Sequence, residues 1–311
     1  MNLEPRQLAS TDLYSSPLGL GTVELGMPYG IGKPEPPPDE ECIALLHRAV
    51  DRGINFIDTA LTYGRSEEIV GKAFADLDDP PLIATKVTLR PNNVPDAPRG
   101  DDLRTHIEES VQHSLKNLHT DALDVLQLHN ALEDDLTPEF LEIMEGLRAR
   151  GMVKHLGATT YGEEPPLRVL ELSDHFCILQ VAYNLLDRKL ESRVFPPALV
   201  KGVGLVMRSI FLQGALSNRK LPDEVAELRN TVAEVRQIAD GAGISLEALA
   251  LRYVAFNPHT YITLFGTTSP DELDANIDAF EQGPLPADLL EALHSIATLD
   301  EYYLNAGNWN P

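Results

Sequence analysis

Asp58, Tyr63, Lys86 and His129 are four side chains of the types that together can deliver a proton to a carbonyl oxygen. Turning a carbonyl into an alcohol requires a hydride at carbon and a proton at oxygen. The donor must hold its proton near neutrality and release it easily. A free phenol, with a pKa of about 10, does this poorly. An ammonium beside it stabilises the phenolate and lowers that pKa, and a carboxylate can hold and orient the ammonium. A histidine can donate a hydrogen bond to the carbonyl oxygen and fix its direction.

The placement of these residues gives them a common address. Asp58 and Tyr63 lie in Gly53-Ile-Asn-Phe-Ile-Asp-Thr-Ala-Leu-Thr-Tyr-Gly64, Lys86 closes Pro81-Leu-Ile-Ala-Thr-Lys86, and His129 ends Leu123-Asp-Val-Leu-Gln-Leu-His129. In each segment an apolar run suited to a buried parallel strand stops at an ionisable side chain. A (β/α)8 barrel carries its chemistry at that end of its strands. Taken singly, each residue has a plain structural explanation: Asp58 a turn or helix cap, Tyr63 loop packing, Lys86 a solvated strand end, His129 a hydrogen-bonded core histidine. Four of them at successive strand ends favour a site.

The elements needed to position them follow in alternating order from residue 18 to about 282, which predicts an α/β chain forming one (β/α)8 TIM barrel, with a further helix and tail over about 283–311. Barrel strands are expected at Leu18–Thr22, Ile54–Asp58, Leu82–Lys86, Leu123–His129, Val153–Ala158, Cys177–Val181, Val203–Met207 and Tyr261–Leu264. Asp39 is expected to cap a helix burying Ile43, Leu46, Ala49 and Val50. Further helices are expected from Ser66 and Asp101, from Thr137-Pro138 to Arg150, near 165–173, 187–200 and 223–256, from Ser269-Pro270 to Phe280, and over 287–297. No domain boundary interrupts the chain; Pro34-Glu-Pro-Pro-Pro38 reads as a loop.

With these motifs in view the chain resembles an aldo-keto reductase. The matching stretches are Gly19-Leu-Gly-Thr22, Asp58-Thr-Ala through Tyr63-Gly64 to Ser66-Glu67, Lys86, Leu128-His129-Asn130, Leu156-Gly157, Gln180-Val-Ala-Tyr183-Asn184, Ser209 to Leu216, and Gly266 to Asn276. The resemblance implies an NAD(P)(H)-dependent oxidoreductase interconverting a carbonyl (aldehyde, ketone or sugar lactol) and an alcohol, with Tyr63 as acid or base. It also implies that Thr22 and Asp58 lie near the nicotinamide ribose, that Gln180 bonds the carboxamide, that Ser209 and Leu212 line the pyrophosphate, and that Asn276 reaches the adenine.

Three positions depart from the family pattern. Gly157-Ala-Thr-Thr-Tyr161 keeps a hydroxyl at Thr159 but has Thr160 where an amide is usual. Arg208 stands where many members place an aromatic ring against the nicotinamide; a guanidinium plane can also stack and adds positive charge. Gly266-Thr-Thr-Ser-Pro-Asp-Glu272 lacks the Arg or Lys that holds a 2′-phosphate, leaving Thr267, Thr268, Ser269 and a helix N-terminus for a phosphate or a ribose diol. NADP(H) is the family default, and NAD(H) is plausible here.

Composition excludes several alternatives. Forty-eight acidic against 25 basic residues give a net charge of −23, a surface that repels nucleic-acid phosphates and anionic lipid. No apolar run is long enough for a membrane span and Met1–Arg6 is not signal-like, so a cytoplasmic protein is expected. Cys42 and Cys177 are expected to be inert. Neither Gly19-x-Gly21 nor Gly202-x-Gly204 continues into a dinucleotide fingerprint, Gly71-Lys72 lacks the following hydroxyl of a phosphate loop, and no histidine spacing predicts a metal site. On the substrate side Tyr29 and the tail residues Tyr303 and Trp309 are the candidates, Tyr302 lies beside them, and the role of Glu24 is open. Two other readings stay in view: a catalytically weak nicotinamide-nucleotide sensing subunit on the same fold, and a lyase using Lys86 as a Schiff base.

Overall fold

The computed structural model describes residues 3–90 and 96–309; Met1, Asn2, residues 91–95, Asn310 and Pro311 lie outside the description. Eight parallel strands close into a barrel in chain order: β1 (Leu18–Gly21), β2 (Phe56–Asp58), β3 (Leu82–Val87), β4 (Leu123–Leu128), β5 (Val153–Thr160), β6 (Ile178–Ala182), β7 (Gly204–Arg208) and β8 (Thr260–Gly266), with β8 pairing back onto β1. All eight expected strands are present, displaced by a few residues at their ends.

Side chains alternate between the two faces of a strand, so residues two apart share the barrel interior. Phe56, Ala84, Val125, Ile178, Val206 and Ile262 form one buried interior cluster. Two residues further along the strands the same interior face carries Asp58, Lys86, Gln127, Gln180 and Arg208. An apolar layer therefore lies under a polar one, and the polar layer is at the carboxyl ends of the strands. The larger apolar cluster fills the space between the sheet and the surrounding helices.

The floor of the barrel is closed by an element that sequence reading missed, a hairpin pairing Arg6–Gln7 with Tyr14–Ser15. Its Leu8 and Leu13 complete the interior apolar cluster, and Arg6 Nη2 donates to the carbonyls of Thr260 and Tyr261 at 2.9 and 2.6 Å. Two-residue strands carry no readable period, which is why the hairpin was invisible.

The helices follow expectation with three corrections, the first being that the stretch 187–200 is two short helices, Leu190–Arg193 and Phe195–Val200. Asp39 does not cap its helix: the helix is Asp39–Asp51 and Pro38 occupies the cap position. The Asp39 carboxylate instead pairs with Arg65 and, at 2.9 Å, with Lys72. Its buried face is Cys42, Leu45, Leu46 and Ala49, with Ile43 and Val50 at the margin. The stretch 223–256 is two helices, Ala226–Gly241 and Leu246–Ala255. Gly243 takes a φ of +66° between them, and Ser245 caps the second by accepting from Ala248 N at 3.1 Å. Thr137 and Ser269 are caps as expected. No helix among the described residues is long and apolar enough to cross a membrane.

Leu8 is 1% exposed at the barrel floor. Leu8→Ala should cost about 2–5 kcal/mol of stability, the range for emptying a buried leucine site, read as a lower midpoint in urea unfolding. A loss under about 0.5 kcal/mol would show that the hairpin is not part of the cooperative core.

Candidate active site

The polar layer is organised around one buried ion pair. Lys86 Nζ donates to Asp58 Oδ2 at 2.7 Å and to the Thr59 carbonyl at 2.7 Å. Gln180 Nε2 and Gln127 Nε2 donate to Asp58 Oδ1 at 2.7 and 3.1 Å. Lys86 is 1% exposed and Asp58 5%, so neither is a solvated strand end or a surface cap. Gln127 was not singled out from sequence; it lies two residues before His129 on the interior face.

Tyr63 sits in the loop after β2. Its position is set by a close approach of two chain segments: a Cβ on Gly26 would lie 1.9 Å from the Tyr63 carbonyl oxygen, and one on Gly64, at φ +57°, would lie 2.3 Å from the Gly26 carbonyl oxygen. Beneath the loop Thr22 Oγ1 meets Ser66 Oγ at 2.6 Å, and Ser66 Oγ meets Thr59 Oγ1 at 2.8 Å. Lys86 Nζ lies 4.7 Å from the centroid of the Tyr63 ring. The His129 ring stands edge-on to it, centroids 5.7 Å apart at 79°. His129 Nδ1 pairs with Thr88 Oγ1 at 3.0 Å. Asn130, at φ +52°, turns the chain just past His129, and its N–H donates to Thr159 Oγ1 at 2.7 Å.

Burial dominates the titration of these groups. It pushes the Tyr63 phenol well above its ordinary value; the Asp58 charge adds to the rise and Arg208 opposes it. Here desolvation outweighs the lowering expected from an adjacent ammonium. Burial also lowers the Lys86 ammonium, with Asp58 drawing it back up. His129 is held well below the ordinary histidine value by burial first, then by Lys86 and Arg208, so it is neutral at physiological pH.

Above this layer opens a cavity of about 1080 Å³. Of the residues singled out from sequence, Thr22, Tyr29, Asp58, Tyr63, His129, Gln180, Arg208, Ser209, Gly266 and Asn276 line it. Several others do not. Lys86 lies beneath, behind Asp58. Thr159 spends its hydroxyl on Asn130, and Leu212 is buried in the turn where it adopts φ +46°. Thr267 Oγ1 donates to Glu272 Oε2 at 2.6 Å and accepts from Ser269 N at 3.0 Å, and Thr268 is likewise off the cavity wall. Tyr303 and Trp309, the tail candidates for substrate contact, also lie off this wall: Trp309 packs into the core, its Nε1 donating to the Tyr303 carbonyl at 2.9 Å, and Tyr303 is half-buried against it.

Arg208 is held by its own surroundings. Its guanidinium lies 4.0 Å over the Tyr161 ring, with Nη2 donating to the Thr160 carbonyl at 2.9 Å and Nη1 to Ser209 Oγ at 3.2 Å. One of its faces is therefore taken by Tyr161. Cavity residues that sequence reading missed include Tyr161 and Arg219, and Glu24 also lines the wall. Arg219 comes from a loop with no recognisable motif, so only tertiary structure reveals it. Among the described residues no cluster of His, Cys, Asp and Glu is placed to hold a metal ion. The thiols of Cys42 and Cys177 are unpaired, and burial pushes Cys177 up to about 12.

Two expectations follow from the buried charges. Asp58→Asn strands the Lys86 ammonium and should cost about 3–5 kcal/mol, while Asp58→Asn combined with Lys86→Met should recover part of it; equal losses in both variants, by chemical denaturation, would deny the coupling. His129 has a depressed folded-state pKa, so its neutral form contributes stability that is lost as pH falls from about 6.5 toward the lowered value. His129→Gln should flatten the wild-type loss of melting temperature below about pH 6.5, and an unchanged slope would place that loss elsewhere.

Residues 17–298 match the sequence model of the Aldo/keto reductase family. The chain is 26% identical over 315 residues to the uncharacterized oxidoreductase YqkF of Bacillus subtilis, covering 96% of this chain and 98% of that one. It is 30% identical over 298 residues to the aldo-keto reductase YhdN of the same organism, covering 88% and 87%. Its structure resembles the holo form of aldo-keto reductase AKR11C1 from Bacillus halodurans with a TM-score of 0.81 at 28% identity, covering 97% of this chain and all of that one.

Proposed function

The chain belongs to the aldo/keto reductase family of oxidoreductases, and on that premise we propose that it interconverts a small carbonyl compound (an aldehyde, a ketone or a sugar lactol) and the alcohol, with Tyr63 as general acid and base. The observation that carries the reading is the convergence of Tyr63 and His129 at the base of one large cavity, directly over the Lys86–Asp58 pair.

A nicotinamide dinucleotide, when bound, supplies or takes the hydride. The cavity's donor set fits one. Gln180 commits its amide N–H groups to Asp58 and, at 3.3 Å, to Gln127, which leaves its carbonyl oxygen for a carboxamide. Ser209 and Arg219 offer a hydroxyl and a cation along the wall, Arg208 offers its remaining guanidinium face, and Asn276 stands on the helix after β8. Thr159, Leu212, Thr267 and Thr268 are assigned to shaping this wall rather than to side-chain contact.

On the protein side, Tyr63 passes its phenolic proton to the carbonyl oxygen, or receives it from the alcohol. Lys86, under the ring, offsets the negative charge that gathers on the phenol as the proton leaves. Asp58 keeps Lys86 charged in a site that would otherwise favour the neutral amine. His129, with Nδ1 accepting from Thr88, carries its proton on Nε2 and donates to the carbonyl oxygen, orienting it toward Tyr63. Tyr29 and Tyr161 form the substrate-side rim, and a reducing, cytoplasmic setting suits the two unpaired thiols.

The test is a pair of measurements on Tyr63→Phe. Turnover on an aldehyde should fall about 10²–10⁴-fold, the contribution typical of general acid–base catalysis, while dinucleotide affinity stays within a factor of about three. Turnover above a tenth of wild type would remove Tyr63 as the acid, and wild-type turnover below measurement on every carbonyl class tried would favour a nucleotide-sensing role.

A further inference from the structure

Resting on the dinucleotide reading above, we propose that Glu24 is a specificity-determining residue: its carboxylate accepts from the ribose diol of NAD(H) and turns away the 2′-phosphate of NADP(H). The argument begins with what is missing after β8. Gly266 has no side chain, residues 267–272 contain no cation, and Thr267 has its hydroxyl tied into the helix cap. A phosphate there would find no cation on that segment.

The space beside Gly266 is taken by a residue from the opposite end of the chain. Glu24 follows β1 on the one-turn helix Val23–Gly26, and a Cβ placed on Gly266 would lie 3.8 Å from its carboxyl carbon and from Oε2. Glu24 Oε2 is buried and has no hydrogen-bond partner among the described residues. An acceptor desolvated without a partner is costly, and a ligand hydroxyl is the kind of group that relieves it. Glu272 lines the same cavity and acts on Glu24 by like-charge repulsion, so burial and Glu272 raise the Glu24 carboxyl while Arg219 draws it down.

The three groups divide the cofactor between them. Arg219 Nη1 and Glu24 Oε1 approach the Gly30 Cβ position to 3.0 and 3.4 Å, and the Arg219 Cδ approaches the Gly214 Cβ position to 3.0 Å. Arg219 thus stands on the side of the 209–214 loop, where it serves the diphosphate that NAD(H) and NADP(H) share. Glu24 and Glu272 face the part in which they differ. A dianionic phosphate meets the Glu24 carboxylate there, with Glu272 on the same wall, whereas a diol supplies the donor that Glu24 Oε2 lacks; rejection of the wrong ligand by like charge is a standard route to specificity.

Calorimetric titration of the intact protein with NADH and with NADPH tests this. Wild type should bind NADH at least about tenfold tighter. Glu24→Gln should narrow the ratio about tenfold, through gain for NADPH and loss for NADH, and Glu24→Lys should invert it; a tenfold change corresponds to 1.4 kcal/mol. A wild type that binds NADPH as tightly as NADH, or variants that move both affinities equally, would overturn the assignment to Glu24 and leave the oxidoreductase reading standing. Narrowing by Glu272→Gln with Glu24→Gln unchanged would place the selection on the β8 segment and overturn it too. A wild type that binds neither dinucleotide would instead overturn the reading on which the proposal rests.

Discussion

The buried contact between Lys86 and Asp58 is the constraint around which the upper half of the barrel is built. Removing two charges from water is expensive, and the attraction between them repays it only when their remaining hydrogen-bonding capacity is met. Here β2 contributes the carboxylate, β3 the ammonium, and β4 and β6 the two glutamine amides that finish the carboxylate's coordination. Four strands must therefore be in register before the pair is tolerable. The apolar layer below supplies the burial, and the cavity above supplies the opening through which Tyr63 and His129 face a ligand.

The strands and the candidate site were legible in the sequence for one physical reason: Asp58, Lys86 and His129 each end an apolar run suited to a buried parallel strand, and Tyr63 follows in the loop after Asp58. Phe56 and Asp58, Ala84 and Lys86, Val125 and Gln127 repeat the same step from apolar to polar. Gln127 could have been found by extending that rule two residues back from His129. Other features depend on contacts between distant segments. Glu24, Arg219 and Gly266 lie in three separate regions and have meaning only together. The tail shows the same limit: Trp309 packs into the core and Tyr303 lies half-buried against it, because a large apolar surface gains from burial whether or not a ligand is present.

The electrostatics of the molecule are uneven in a way that composition hides. The chain as a whole carries a net charge of −23, and its cavity is lined by Glu24, Asp58, Glu247, Asp271 and Glu272 as well as by Arg208 near Tyr63 and Arg219 further along the wall, so positive charge there is local. Arg208 is also fixed against Tyr161, so its charge is preorganised and need not move when a ligand enters.

The hairpin that closes the barrel floor has a consequence for how the chain assembles. Arg6 bonds to carbonyls of residues 254 and 255 positions later in the chain, and Ser10 Oγ donates to the Gly202 carbonyl at 3.0 Å. During synthesis residues 6–15 emerge before their partners on β8, which follow 254 and 255 positions after Arg6. For that interval Leu8 and Leu13 have no barrel to enter, and β1 lacks one of its two neighbours. Closure is a late, long-range event with a high cost in loop entropy, so the nascent chain spends its growth with an open sheet edge, the state in which a growing polypeptide is most exposed to aberrant pairing.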